Sequence, residues 1–87
     1  MKNTVLAQLF GIVVRRMRSE AGLSQEEFAV RCHLHRTYIG SIERGEKNVT
    51  LETANKIANA LEVNLSVLVL QMEQQSKFND TNGKLRD

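Results

Sequence analysis

The chain has 87 residues, enough for one domain with a single modest core. It contains no proline and carries a net charge of +2. It has one cysteine, so no disulfide can form within these 87 residues. No apolar run approaches the roughly 20 residues that a membrane-spanning helix requires, and the N-terminus has no signal-peptide pattern. We therefore expect a cytoplasmic domain that has no contact with a membrane.

The basic residues are concentrated in the first half of the chain. Residues 1–47 contain eight Lys or Arg against five Asp or Glu, whereas residues 48–87 contain four against five. This imbalance is compatible with binding a polyanion, although many domains that bind none show as much. Charge alone therefore leaves nucleic-acid binding open.

The first two helices are predicted from apolar periodicity and from their caps. Apolar residues at helical spacing predict a helix over Val5–Ala21, ended by Gly22. Ser24 and Glu27 have the spacing of a capping box, which predicts that a short second helix begins at Ser24. The apolar stripe of this second helix, which stops before His33, consists of Phe28, Ala29 and Cys32.

The third helix is predicted to run from His35 or Arg36 to Arg44. Leu34 is an apolar plug in the turn before it, and Gly45 caps its end. The residues predicted to face the core are Ile39 and Ile42. The outward face is polar and carries Arg36, Thr37, Tyr38, Ser41 and Arg44.

Two further helices complete an all-α fold, a compact five-helix bundle. Thr50 is the expected N-cap of the fourth helix, and the fifth, capped by Asn64, is expected over Leu65–Gln74. Residues 75–87 are polar and aperiodic, so we expect one domain at 1–74 followed by a disordered tail. The core-facing residues expected on the fourth helix are Leu51, Ala54, Ile57, Ala58 and Leu61.

The fifth helix is apolar on nearly every side. Six of the eight residues over Leu65–Met72 are apolar, which is too many for one small core to cover. A second copy of the chain is the simplest partner, and we therefore expect a two-fold homodimer. The leading interface candidates are Leu65, Val69 and Met72, with Val63 nearby.

The segment from Ser24 to Arg44 has the pattern of a helix-turn-helix. The small Ala29 lies where the two helices would cross, five residues into the unit that begins at Gln25. The residues that carry the resemblance read Val14-Arg15-x-Met17-Arg18-x-x-x-Gly22-Leu23-Ser24-Gln25-Glu26-x-Phe28-Ala29, then Tyr38-Ile39-x-x-Ile42-Glu43-Arg44-Gly45. Over about residues 10–70 the chain resembles the Cro/C1-type, phage-repressor-like family, and residues 36–45 look most like the restriction–modification controller proteins. One departure is His33, at a turn position that is often glycine.

This resemblance implies a dimeric transcription regulator that binds double-stranded DNA. A dimer places two recognition helices about one DNA turn apart, so we expect an inverted-repeat operator. We expect no cofactor or metal, and no small-molecule effector because the chain has no ligand domain. The resemblance also implies that Arg18 and Glu43 form a structural salt bridge within the domain. The residues implied to read bases are Arg36, Thr37 and Ser41. The residues implied to hold the DNA backbone are Gln25, Tyr38, Arg44, Lys47 and Asn48.

Other interpretations of the same residues are weaker. Cys32, His33 and His35 lie close in sequence, but a structural zinc site normally takes four ligands from two separated pairs, and no second pair exists. Ser24 and Ser41 have roles as cap and groove-facing residue, and no catalytic serine–histidine–acid set is suggested, so we do not expect an enzyme. The alternative function is an antitoxin-like or adaptor module whose helix-turn-helix binds a protein partner.

Overall fold

The structure is a computed structural model that describes residues 5–83, with side chains described to residue 77. The described part contains five helices and no strand, which confirms the all-α expectation, and none of these helices is long and apolar enough to cross a bilayer. In chain order they are α1 (Val5–Glu20), α2 (Gln25–Cys32), α3 (Arg36–Glu43), α4 (Leu51–Ala60) and α5 (Leu65–Gly83).

The predicted caps are present at the ends of α2 and α3. Ser24 Oγ accepts a hydrogen bond from the Glu27 N–H at 3.0 Å, and the Glu27 carboxylate accepts one from the Ser24 N–H at 2.9 Å. The bond from the Ser24 backbone is the main cause of a lowered pKa at Glu27, because it favours the charged form. His33 ends α2 in the left-handed conformation, at φ 59°, which histidine tolerates better than most residues. Gly45 follows α3 at φ 77°.

The hydrophobic core lies where the inner faces of the five helices meet. Cys32 is one of its members, and burial raises the pKa of its thiol to about 11. Leu34 packs against this core from the turn between α2 and α3, as predicted for the apolar plug. The largest wholly buried side chains are Val13, Val14, Phe28, Cys32, Ile39, Ile42, Ile57 and Leu68.

The prediction that Leu51 faces the core was wrong, since this side chain is 76% exposed. Leu51 is the first residue of α4, and only the later turns of this helix lie against the core. Ala54, Ile57 and Ala58 are buried as expected, and Leu61 packs partly buried against the same core.

Helix α5 continues to Gly83, beyond its predicted end at Gln74. Arg16 of α1 donates hydrogen bonds to the side-chain oxygens of Gln71 and of Gln75, the first residue beyond the predicted end, so polar contacts tie this turn of α5 to α1. The sequence from Gln75 onward is polar and aperiodic, which predicts a tail, but a helix turn tied to its neighbour by polar contacts needs no apolar stripe. The last part of the predicted tail, residues 84–87, lies outside the described residues.

Helices α1 and α3 approach each other backbone to backbone. A Cβ atom added to Gly11 would lie 2.4 Å from the carbonyl oxygen of Ile42 and 2.9 Å from that of Glu43. At Gly45 an added Cβ would lie 3.1 Å from the Cα of Gln8. The C-terminal end of α3 is therefore fixed against α1 at a distance that only a glycine on α1 allows.

Candidate nucleic-acid interface

Helices α2 and α3 form a two-helix unit joined by the three residues 33–35. Ala29 is 3% exposed and Ile39 is wholly buried, so the small residue and the apolar wedge both lie inside the unit. On the opposite side of α3, Arg36 and Thr37 are exposed. Tyr38 is half-buried and packs against the core. The unit thus presents a short polar helix face, led by Arg36 and Thr37, on a buried apolar base.

Ser41 does not lie on this exposed face, and the prediction that it points outward was wrong. It is 7% exposed, and its hydroxyl donates to the carbonyl oxygen of Tyr38 at 2.8 Å. Ser41 lies in the last turn of α3, which is buried over residues 40–43 and packs against Gly11 of α1. Helical spacing alone does not predict the burial of this turn.

A buried ion pair joins α1 to α3. Arg18 Nε donates to Glu43 Oε2 at 2.6 Å and Arg18 Nη2 donates to Glu43 Oε1 at 3.0 Å, which is the two-pronged geometry of the strongest arginine–carboxylate pairs. Arg18 Nη1 also donates to the Leu23 carbonyl at 2.7 Å. The two side chains are 13% and 3% exposed, and the hydrogen bond to Glu43 raises the pKa of Arg18 further. This pair is the structural salt bridge expected from the sequence, and neither charge is available to DNA.

Gln25 is oriented by the same ion pair. Its Nε2 donates to Glu43 Oε1 at 3.0 Å, so the side-chain amide of the first residue of α2 is held in one position. A Cβ on Gly40 would lie 3.8 Å and 3.9 Å from the two polar atoms of this amide, and 3.2 Å from Arg44 Nη1. Gln25 and Arg44, both predicted to hold the DNA backbone, therefore converge over the bare backbone of Gly40.

Arg44 begins a short exposed segment that also contains Lys47 and Asn48. Its Nε lies 2.9 Å from Glu46 Oε2, and its Nη2 donates to Glu46 Oε1 at 3.2 Å. These hydrogen bonds raise the pKa of Arg44 and lower that of Glu46, because each group stabilises the charged form of the other. Glu46 was not predicted as a site residue. Its position two residues after Arg44, the last arginine of the unit, is the feature of the sequence that indicates this ion pair.

An open apolar groove of about 400 Å³ lies between the start of α1, residues 47–51 and α5. Its lining includes three of the predicted dimer residues, namely Leu65, Val69 and Met72. Val63 is not among them and lies in the turn between α4 and α5. Leu6 and Leu51 were not predicted as interface residues, yet both line the groove and are 65% and 76% exposed.

The residues considered for metal binding or catalysis do not form a common site among the described residues. Cys32 is buried while His33 and His35 are exposed, and within the described residues no three His, Cys, Asp or Glu side chains are grouped to hold a metal ion. The Ser24 hydroxyl caps α2 and the Ser41 hydroxyl bonds to the backbone, so both are engaged in local structure.

A capped α2, a tight turn and an exposed polar face on α3 define a helix-turn-helix protein of the DNA-binding class. Residues 14–68 match the helix-turn-helix family, and the chain belongs to this family, in agreement with the Cro/C1-type resemblance.

Within the family the chain is similar to restriction–modification control proteins. It is 54% identical over 56 residues to control protein C.BamHI of Bacillus amyloliquefaciens, an alignment covering 63% of this chain and 69% of that protein. It is 42% identical over 67 residues to control protein C.MunI of Mycoplasma sp, covering 76% and 90%. The controller protein C.Esp1396I, solved as a tetramer with its natural 35 base-pair operator, superposes with a TM-score of 0.78 at 32% identity, covering 83% of this chain and 95% of that one.

Proposed function

We propose that this protein is a sequence-specific DNA-binding transcription regulator that acts as a dimer on an inverted-repeat operator, of the restriction–modification controller kind. The observation that carries the proposal is the exposed polar face of α3, fixed on a buried apolar base and braced by the Arg18–Glu43 pair. The similarity to C.Esp1396I, which was solved on its operator, supports it. Action on DNA inside the cell implies a cytoplasmic location, and no catalytic activity is proposed.

The exposed residues of the unit divide into two roles. Arg36 and Thr37, at the N-terminal end of α3, read bases in the major groove, where an arginine can bind guanine with two hydrogen bonds and a threonine methyl can contact thymine. Ser41 is given no base-reading role, since it is 7% exposed and its hydroxyl donates to the Tyr38 carbonyl. The residues that hold the DNA backbone and set the register of α3 are Gln25, Tyr38, Arg44, Lys47 and Asn48.

Arg36→Ala is expected to weaken operator binding about 10- to 100-fold and to relax base preference, because a two-pronged guanine contact contributes about 1–3 kcal/mol of discrimination. The fold should be unaffected, since Arg36 is exposed. The measurement is a gel-shift titration with the DNA upstream of the gene and with a scrambled duplex of equal length.

Arg31→Ala is the matched control for this titration. It removes the same charge from an exposed arginine near the end of α2 and should reduce binding to both duplexes only slightly. Equal losses in the two variants would contradict the role of Arg36. A wild-type protein that binds both duplexes equally well would contradict the specific-regulator proposal itself.

The apolar groove is the proposed dimer surface. Monomeric proteins rarely expose a continuous apolar patch, and here Leu6, Leu51 and Val69 are each about half exposed or more around one groove. A two-fold dimer formed here would present two copies of α3 to one side of a duplex, about 34 Å apart. Because Lys47 and Asn48 lie on the rim of the groove, dimerisation would also order the segment proposed to hold the DNA backbone.

Leu51→Glu is expected to break the dimer without unfolding the protomer. The side chain is 76% exposed, and an acidic residue in the first turn of a helix is favourable, but burying a carboxylate in an apolar interface costs free energy. We expect the dissociation constant of the dimer to rise by at least about 30-fold, equivalent to about 2 kcal/mol, measured by light scattering across micromolar concentrations. Val30→Glu, at a residue 71% exposed on α2, is the control that should leave the dimer intact. A wild-type protein that stays monomeric at these concentrations would refute the proposed surface.

A further inference from the structure

We propose that the Glu46 carboxylate competes with DNA phosphate for Arg44. In the free protein the carboxylate accepts the hydrogen bonds of the Arg44 guanidinium, and these bonds must break before Arg44 can bind a phosphate. This role rests on the proposed function, because it concerns a backbone contact of the same helix-turn-helix. Its consequence is that the Glu46 carboxylate keeps the affinity for DNA lower than the basic residues of the unit would otherwise give.

The geometry of the Arg44–Glu46 pair is that of an arginine on a phosphate. Nε and Nη2 of Arg44 each face one carboxylate oxygen, at 2.9 Å and 3.2 Å. Arginine binds the two oxygens of a phosphate with the same pair of parallel N–H groups. Glu46 therefore occupies the donors of Arg44 that a phosphate would use.

The pair is also placed where a DNA strand can reach it. The side chains of Arg44 and Glu46 are 62% and 48% exposed, whereas those of Arg18 and Glu43 are 13% and 3% exposed. Arg44 Nη1 lies over Gly40 beside the Gln25 amide, which Glu43 already holds in place. The arginine is thus positioned on the surface proposed to meet the DNA backbone, and Glu46 occupies it there.

Glu46 is the single carboxylate among residues 44–48, a segment that also contains Arg44 and Lys47. Exposed ion pairs are weakly held, so a phosphate can displace the carboxylate, but the carboxylate then remains close to the DNA and is repelled by it. Phosphate contacts carry no base information, and the effect of Glu46 should therefore be the same for every DNA sequence.

Glu46→Gln is the direct test. We expect the affinity for operator and for scrambled DNA to rise by the same factor, about 3- to 10-fold at low salt, with a salt dependence steeper by about one unit of slope. The measurement is fluorescence anisotropy of labelled duplexes over a range of salt concentrations. Glu20→Gln is the control, since Glu20 is also exposed and also pairs with an arginine. It is far from the Arg44–Glu46 segment: Gly45 lies against Gln8 of α1, and Glu20 is about 18 Å further along that helix. This variant should leave the affinity unchanged.

The double variant Arg44→Gln/Glu46→Gln separates competition for Arg44 from general repulsion of DNA. Glu46→Gln raises the logarithm of the affinity for DNA by a certain amount. If Glu46 competes for Arg44, at least half of this increase must disappear when Arg44 is absent. Persistence of more than half of it, or a loss of affinity in Glu46→Gln itself, would overturn the inference. Failure of the proposed function looks different, because a wild-type protein without sequence preference would refute it while the Glu46 comparison could still be made on any DNA.

Discussion

Glu43→Ala is expected to lower the free energy of unfolding by about 3 kcal/mol, because it leaves the largely buried guanidinium of Arg18 without a charged partner and with only the Leu23 carbonyl as acceptor. The Glu43 carboxylate is 3% exposed and accepts hydrogen bonds from both Arg18 and Gln25, so its removal leaves three donor groups without their acceptor. A domain of this size is stable by roughly 4–13 kcal/mol, so the loss is a large part of the total. Urea unfolding followed by circular dichroism measures it.

The matched control for Glu43→Ala is Glu20→Ala, which removes an exposed glutamate from a pair at 3.8 Å on α1. Its effect should be within about 0.5 kcal/mol, as for most surface substitutions. An unfolding midpoint for Glu43→Ala equal to that of the wild type would show that Arg18 finds other partners, and the brace between α1 and α3 would then have no energetic role.

Gly11→Ala is expected to destabilise the protein by about 3 kcal/mol, although alanine is the better helix former by about 1 kcal/mol. The added Cβ would lie 2.4 Å and 2.9 Å from carbonyl oxygens of Ile42 and Glu43, and backbone atoms cannot turn aside as a flexible side chain does. Relief requires that α1 and the C-terminal end of α3 separate. The folded fraction should therefore also bind operator less tightly, since Arg44 follows that end of α3.

Gly40→Ala is the control for the Gly11 prediction, because it makes the same change inside a neighbouring helix. Its Cβ would lie 3.2 Å from the far end of Arg44, a group that can move, and at ordinary van der Waals distance from the Gln25 amide, at 3.8 Å and 3.9 Å. The gain in helix propensity should therefore leave the stability unchanged or raised by up to about 1 kcal/mol. Thermal unfolding of the two variants side by side gives the comparison, and equal destabilisation would contradict the backbone contact between α1 and α3.

The sequence by itself determined where most helices begin and end, because those signals are local. Ser24 with Glu27, Thr50, and the glycine after α3 act through hydrogen bonds and backbone angles within a few residues. It also determined most of the core, since Phe28, Ile39 and Ile57 stand at helical spacing and are wholly buried. The family resemblance supplied the Arg18–Glu43 pair, which joins residues 25 positions apart.

Only the tertiary structure decided how individual side chains at the site are used. Ser41 and Leu51 have the right spacing for an outward and an inward face, yet Ser41 is buried in the last turn of α3 and Leu51 is exposed in the first turn of α4. No periodic pattern predicts three further contacts of the structure. These are the hydrogen bond from Arg16 to α5, the close approach of Gly11 to the backbone of α3, and the ion pair of Arg44 with Glu46. Periodicity reports which side of a helix faces the core, whereas exposure at helix ends and the partners of each charge depend on how neighbouring segments pack in three dimensions.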